Sequence, residues 1–249
     1  MKFIPILFNT DMVLALLDGR KTQTRRTKGL NCINLSPNNF VFNAYGLKAT
    51  PPLDFPKITS FYSFKNIVTN EIIDIDFPYE MHDVLWVRET FEIFGTTYNP
   101  HGNPFEEKSF LKIQFKADRR LSNEFSVENF KALNALVEIE MKKGTKSKFR
   151  PSIHMPKAAA RLFLQITDIR IERLKEISET DAIAEGVKND GFFEGLFNYK
   201  NYCNNVFDLK NAIDSFKSLW LKINGKQSLD LNPWVWVIEF EKIEKPINF

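Results

Sequence analysis

The chain reverses at Asp18-Gly19, and the residues on either side of that turn prescribe a helix, a turn and a strand in succession. Upstream, Met12, Val13, Ala15, Leu16 and Leu17 mark a short apolar helix with Thr10 or Asp11 as its N-cap. Glycine enters the left-handed position beyond a helix end without a side-chain penalty. Downstream, Thr22-Gln23-Thr24-Arg25-Arg26 predicts a Thr-rich strand. Its side chains alternate, so Thr22, Thr24 and Arg26 take one face and Gln23 and Arg25 the other. Lys21 and Thr24 can therefore meet only if Lys21 still belongs to the turn.

The segment Gly19-Arg20-Lys21-Thr22-Gln23-Thr24-Arg25-Arg26 gathers a lysine, hydroxyls and guanidinium groups. Such a set can bind an anion or attack a carbonyl. A plainer reading is that Arg20 and Lys21 complement the carbonyl end of the helix dipole while the threonines favour the strand.

At 249 residues the chain has ample length for a real core, and its 43% hydrophobic and 26% charged content is that of a soluble globular protein. No run approaches the roughly 20 apolar residues of a membrane span, and the N-terminus does not read as a signal peptide. These features predict a cytoplasmic protein with no membrane association. Cys32 and Cys203 form no Cys-x-x-Cys, and His82, His101 and His154 are scattered without ligand spacing. Neither a disulfide framework nor a metal site is expected, and no cofactor is implied. The net charge is only +3, but Lys142, Lys143, Lys146, Lys148, Arg150 and Lys157 form a run without an acid. That run is either a solvated loop or a phosphate-contacting one.

Four segments carry the periodicity of packed structure: residues 3–26, 83–91, 150–186 and 213–240. In the second, Val84-Leu85-Trp86-Val87 places apolar residues on both strand faces, as in a covered sheet. In the third, a strand from Leu162 to Ile171 precedes a two-turn helix framed by Ser178 as N-cap and Gly186 as C′ residue. The fourth has Ile213, Phe216, Leu219, Trp220 and Ile223 on one helix face, an end at Gly225, and a final strand whose Trp234 and Trp236 read as core. Residues 27–80, 95–148 and 188–211 are weakly periodic and read as insertions in one domain spanning 1–249. Strands without regular strand-helix alternation predict an α+β fold, a small, mostly antiparallel barrel with flanking short helices.

Gly19, Lys21, Thr24 and Arg26 match Gly-x-Lys-x-x-Thr-x-Arg, and His82-Asp83-Val84-Leu85-Trp86-Val87 is similar to Gly-Asp-x-Leu-x-Val, with His82 in place of the glycine. With Ala184-Glu185-Gly186 and Trp236-Val237-Ile238-Glu239-Phe240, these motifs resemble the ASCH-domain family. Arg150-Pro151-Ser152-Ile153-His154-Met155-Pro156 resembles its long form, carried by bacteriophages and prophages, although Lys157-Ala158-Ala159 departs from the usual tryptophan-containing segment. The resemblance implies a PUA-like β-barrel. Small bacterial members remove the acetyl group from N(4)-acetylcytidine, which implies catalytic roles for Lys21, Thr24 and Glu185.

Glu185 is conspicuous without that resemblance, because a carboxylate in the last helical turn faces the negative end of the dipole. It either pairs with a cation or stays solvated. Threonine is inert at neutral pH without an adjacent base, and Lys21 could serve if burial outweighed attraction to Glu185. Arg20, Arg25, Arg26, Arg150 and Lys157 are candidate phosphate or carboxylate contacts, while Ser152 and His154 could line a base pocket. Three functions follow. One is amide hydrolysis on an acylated cytidine; another is non-catalytic binding of a modified nucleoside, RNA or modified DNA; the third is ribonuclease chemistry using His154 and Lys21.

Overall fold

The computed structural model describes residues 1–50, 57–98, 108–122, 125–126, 149–193 and 196–249. Backbone contacts divide the chain into two compact units. The first comprises Met1–Phe3, Asp18–Val84 and Leu164–Ile243; the second comprises Ile4–Leu17, Leu85–Phe163 and Glu244–Phe249. Among the described residues no helix is long and apolar enough to cross a membrane.

The principal sheet contains β1 (Phe3–Leu7), β2 (Gln23–Arg26), β6 (Val84–Arg88), β10 (Phe163–Arg173) and β14 (Trp234–Ile243), in the order β1-β6-β10-β14-β2. Its ladders lie within the units that the strands traverse. In the first unit His82 N–H donates to Ile166 O (3.1 Å) and Ile166 N–H to Asp83 O (3.0 Å); in the second Val87 N–H donates to Leu162 O (3.0 Å). The expected two-sided coverage of β6 is seen, with Val84, Leu85, Trp86 and Val87 all buried.

Three smaller antiparallel sheets complete the fold. In the first unit β3 (Phe40–Thr50), β4 (Lys57–Asn66) and β5 (Ile72–Asp76) form a meander within 27–80, and β11 (Asn189–Phe193), β12 (Leu196–Asn201) and β13 (Val206–Leu209) another within 188–211. In the second unit β7 (Phe91–Tyr98), β8 (Lys108–Phe115) and β9 (Phe125–Ser126) pair in a sheet that begins before the 95–148 segment, much of which lies outside the described residues. The fold is α+β and mostly antiparallel with few helices. No closed barrel is found among the described residues. The backbone entering β2 meets a helix end rather than another strand: Thr22 N–H donates to Ala184 O (2.9 Å), and Lys21 and Glu185 form an isolated antiparallel bridge.

The helices follow their local signals closely. α1 (Thr10–Leu17) buries Met12, Val13, Ala15 and Leu16. Its cap is Asn9 rather than Thr10 or Asp11, since Asn9 Oδ1 accepts from Met12 N–H at 2.9 Å. Gly19 takes φ +73°, as the turn requires. α2 is the short Asn31–Asn34 helix. α3 (Glu179–Ala184) has Ser178 Oγ accepting from Asp181 N–H (3.1 Å), and Gly186 follows at φ +87°. α4 (Ala212–Leu231) does not stop at Gly225. It breaks there, at φ 82° and ψ 166°, then resumes until Asn232 caps it in the left-handed region. Phe216, Leu219 and Trp220 pack with Leu174, Val235 and Val237 in the core of the first unit. Ile223, assigned to the same apolar face, is 44% exposed. Trp234 and Trp236 are core residues, and their indole N–H groups donate to Pro37 O (3.3 Å) and Lys28 O (3.0 Å).

Candidate functional site

Lys21, Thr24, Arg25, Arg26 and Glu185 all belong to the first unit. β2 begins only at Gln23, so Lys21 lies outside the regular strand, where it bridges Glu185 and makes no hydrogen bond to Thr24 Oγ1. Its Nζ donates to Gln23 O (2.7 Å), Glu185 O (2.9 Å) and Glu185 Oε2 (2.8 Å). Three acceptors match the three protons of an ammonium. The Lys21 side chain has no exposed surface and Glu185 only 3%.

Burial is the strongest influence on Lys21 and pulls it below the usual lysine range. Attraction and hydrogen bonding to Glu185 oppose that shift, while the charges of Arg26 and Arg25 reinforce it. The open question of burial against attraction is thus settled in favour of burial.

Glu185 is held from both sides. Its Oε1 accepts from Arg25 Nη1 (3.4 Å), and Arg25 Nη2 also reaches Glu172 Oε2 (3.0 Å) and Asp181 Oδ2 (3.2 Å). Arg170 continues the lattice through Glu172 Oε1 (2.5 Å), Asp181 Oδ1 (2.9 Å) and Glu239. Gln23 fits between them when its amide nitrogen faces Asp181 Oδ1 (3.1 Å) and its oxygen faces Arg25 and Arg170 (3.0 and 3.1 Å). Arg25 also sits over the Phe216 ring, 5.7 Å from its centroid. The charge of Arg26, half-buried beside this group, acts on Lys21, Glu185 and the buried Tyr79.

Asp181, Glu172, Arg170, Glu239 and Gln23 were not among the expected site residues. Two signals point to three of them: Asp181 stands four residues before Glu185, the C-cap residue of α3, and Arg170 and Glu172 share a face of β10. Neither signal names the partner.

Thr24 is 1% exposed and pairs with Ile238 in the β2–β14 ladder, while its Oγ1 is buried without a hydrogen-bond partner. Arg20 donates to Gly186 O (2.5 Å) and Val187 O (3.2 Å), carbonyls just beyond α3, and pairs with Asp18 (2.9 Å). The expected pairing of Arg20 and Lys21 with the carbonyl end of α1 is therefore not seen; Lys21 Nζ meets the Glu185 carbonyl at the end of α3 instead.

Arg150, Ser152, His154 and Lys157 lie in the second unit. The Arg150 backbone pairs with Phe91 in both directions (2.6 and 3.2 Å), Ser152 and His154 occupy one 3₁₀ turn, and Lys157 Nζ lies 4.4 Å from the Phe249 ring centroid. Lys142, Lys143, Lys146 and Lys148 lie outside the described residues. Among the described residues no group of three or more His, Cys, Asp or Glu side chains is placed to hold a metal ion.

The first unit also contains a cavity of about 410 Å³. Tyr79 and Arg170 line it, which connects its wall to the charged lattice; Lys21, Thr24 and Glu185 do not.

The lattice gives a pH expectation. Burial alone would raise the Asp181 carboxyl, but the charges of Arg25 and Arg170 and hydrogen bonds from Ser178 and Arg170 hold it below its ordinary 3.8. A depressed folded-state pKa stabilises above the unfolded value and ceases to do so as pH falls through the folded one. The stability gap between wild type and Asp181→Asn should therefore be full above pH 3.8 and shrink below it. Urea unfolding across that range checks this; a constant gap would refute it.

Comparison with known proteins returns no match, whether to protein-family models, curated proteins or solved structures.

Proposed function

We propose that this chain is an ASCH-type, PUA-like protein that hydrolyses an acyl amide on a modified cytidine. The observation that carries this reading is the buried Lys21–Glu185 pair at 2.8 Å, which joins residues 164 apart; burial, against the pull of Glu185, brings the lysine below its usual range. The unpartnered Thr24 hydroxyl on β2, just beyond Lys21, supplies a nucleophile.

In this reaction Lys21 passes a proton to Glu185 and becomes a neutral amine. That amine takes the Thr24 proton as Oγ1 attacks the acyl carbon, and protonated Glu185 gives its proton to the departing cytosine nitrogen as the C–N bond breaks. The same pair then removes a proton from water, whose oxygen attacks the acyl–threonine ester, and returns one to Thr24 as the acid departs. The active site ends with Lys21 cationic and Glu185 anionic, as it began.

A second reading, a non-catalytic binding module for a nucleoside, RNA or modified DNA, is favoured by the three acceptors that saturate the Lys21 ammonium. Incubation of the full chain with acylated cytidines, followed by mass spectrometry, separates the two. Hydrolysis expects cytidine and the free acid; an unchanged substrate that nonetheless binds selects the module.

A further inference from the structure

The cavity of about 410 Å³ in the first unit is walled largely by aromatic rings from residues 27–80. β3 supplies Phe42 and Tyr45, which remain 44% and 57% exposed. β4 supplies Tyr62, whose ring centroid lies 5.0 Å from that of Tyr45 and 6.2 Å from that of Phe42. Behind them, Trp236 braces both Tyr62 (4.7 Å) and Phe77 (4.5 Å) in edge-on contacts. Buried rings therefore back the partly exposed rings of Phe42 and Tyr45, an arrangement suited to stacking a planar ligand.

The polar lining restricts the ligand's charge. Glu80 and Asp168 line the cavity, and the only cation among its described lining residues is Arg170. The Arg170 guanidinium is committed to Glu172, Asp181 and Glu239, and its nearest approach to Asp168 is 3.9 Å. A phosphate placed here would face carboxylates without a guanidinium to receive it. Asp168 is half-exposed and can accept hydrogen bonds from a ligand N–H. Ser60 and Tyr45 contribute hydroxyls 3.3 Å apart. Burial, with help from Tyr45 and Asp168, pushes the Tyr62 phenol up to about 12, so it stays protonated at neutral pH.

We propose that this cavity binds an unphosphorylated nucleoside, stacking its base on the exposed Tyr45 ring, with Asp168 accepting a hydrogen bond from the ligand. This deepens the nucleoside-directed reading above and rests on it, and it selects a free nucleoside over a polymer. The volume fits a small-molecule site. A quaternary ammonium, which aromatic cages also hold, is smaller than a nucleoside and would leave much of the space unfilled.

Calorimetric titration of the full chain with cytidine, cytidine 5′-monophosphate and tetramethylammonium tests this. Cytidine should bind saturably and with little salt dependence, the monophosphate roughly tenfold or more weaker, and tetramethylammonium weakest. Tyr45→Ala, at an exposed position, should weaken cytidine binding roughly tenfold, the scale of one lost stack. Asp168→Ala should weaken it too. No cytidine binding, tighter binding of the monophosphate or of tetramethylammonium, or unchanged affinity in Tyr45→Ala would overturn the assignment. Cytidine binding without turnover of acylated cytidines would remove the hydrolase reading alone. Turnover with unchanged KM in Tyr45→Ala would remove this subsite alone.

Discussion

Thr24→Val is expected to stabilise the fold by about 1 kcal/mol while abolishing hydrolysis of acylated cytidine. Both effects come from one atom. The Thr24 hydroxyl is buried without a hydrogen-bond partner, and an unsatisfied buried donor costs about 1–3 kcal/mol. Valine keeps the branched shape and removes the polar oxygen, while catalysis loses its nucleophile. Thr24→Ser should retain measurable turnover. Lys21→Ala should also abolish it, and the Lys21→Ala/Thr24→Ala double variant should be no worse than either single, because groups acting in one step are not additive. Urea unfolding and a mass-spectrometric rate assay supply the two measurements. Full turnover in Thr24→Val would leave this segment as a binding element and favour the module.

Glu185→Ala should be the most destabilising change at the site, by about 3–5 kcal/mol, the usual consequence of leaving a buried charge uncompensated. Lys21 would keep two carbonyl acceptors but lose its counterion, and Arg25 would lose one of three carboxylate partners. Replacing both members, as in Lys21→Met/Glu185→Leu, should recover much of the loss, since an apolar pair of similar volume leaves no lysine charge to desolvate. A midpoint shift in urea at constant slope is the readout. A loss below about 1 kcal/mol would mean that the pair contributes little beyond what its neighbours supply.

These expectations differ in how they arise from the chain. Gly19, Ser178 and Gly186 were readable because caps and turns satisfy backbone groups within a few residues, and the structure places each as its local chemistry demands. The two covered faces of β6 and the core tryptophans of β14 were readable for a related reason, since an apolar pattern needs only a partner surface, not a particular one. Glu185 at the carbonyl end of a short helix announced either a cationic partner or a solvated side chain. Which cation answered was a matter of tertiary structure. The Lys21–Glu185 bridge and the juxtaposition of β2, β10 and β14 bring Lys21, Arg25 and Arg170 among carboxylates distant in sequence. The same assembly set the direction of the Lys21 shift, because desolvation depends on everything packed around the amine and no neighbour in sequence reports it. Arg20 shows the limit sharply: its affinity for carbonyls was local chemistry, but the choice of those just beyond α3 over the end of the adjacent α1 was not. Among 24 phenylalanines and 6 tyrosines, sequence could not single out a stacking wall. The pairing of β3 with β4 did so, by setting Tyr45 opposite Tyr62 in register, with Tyr62 buried and Tyr45 57% exposed.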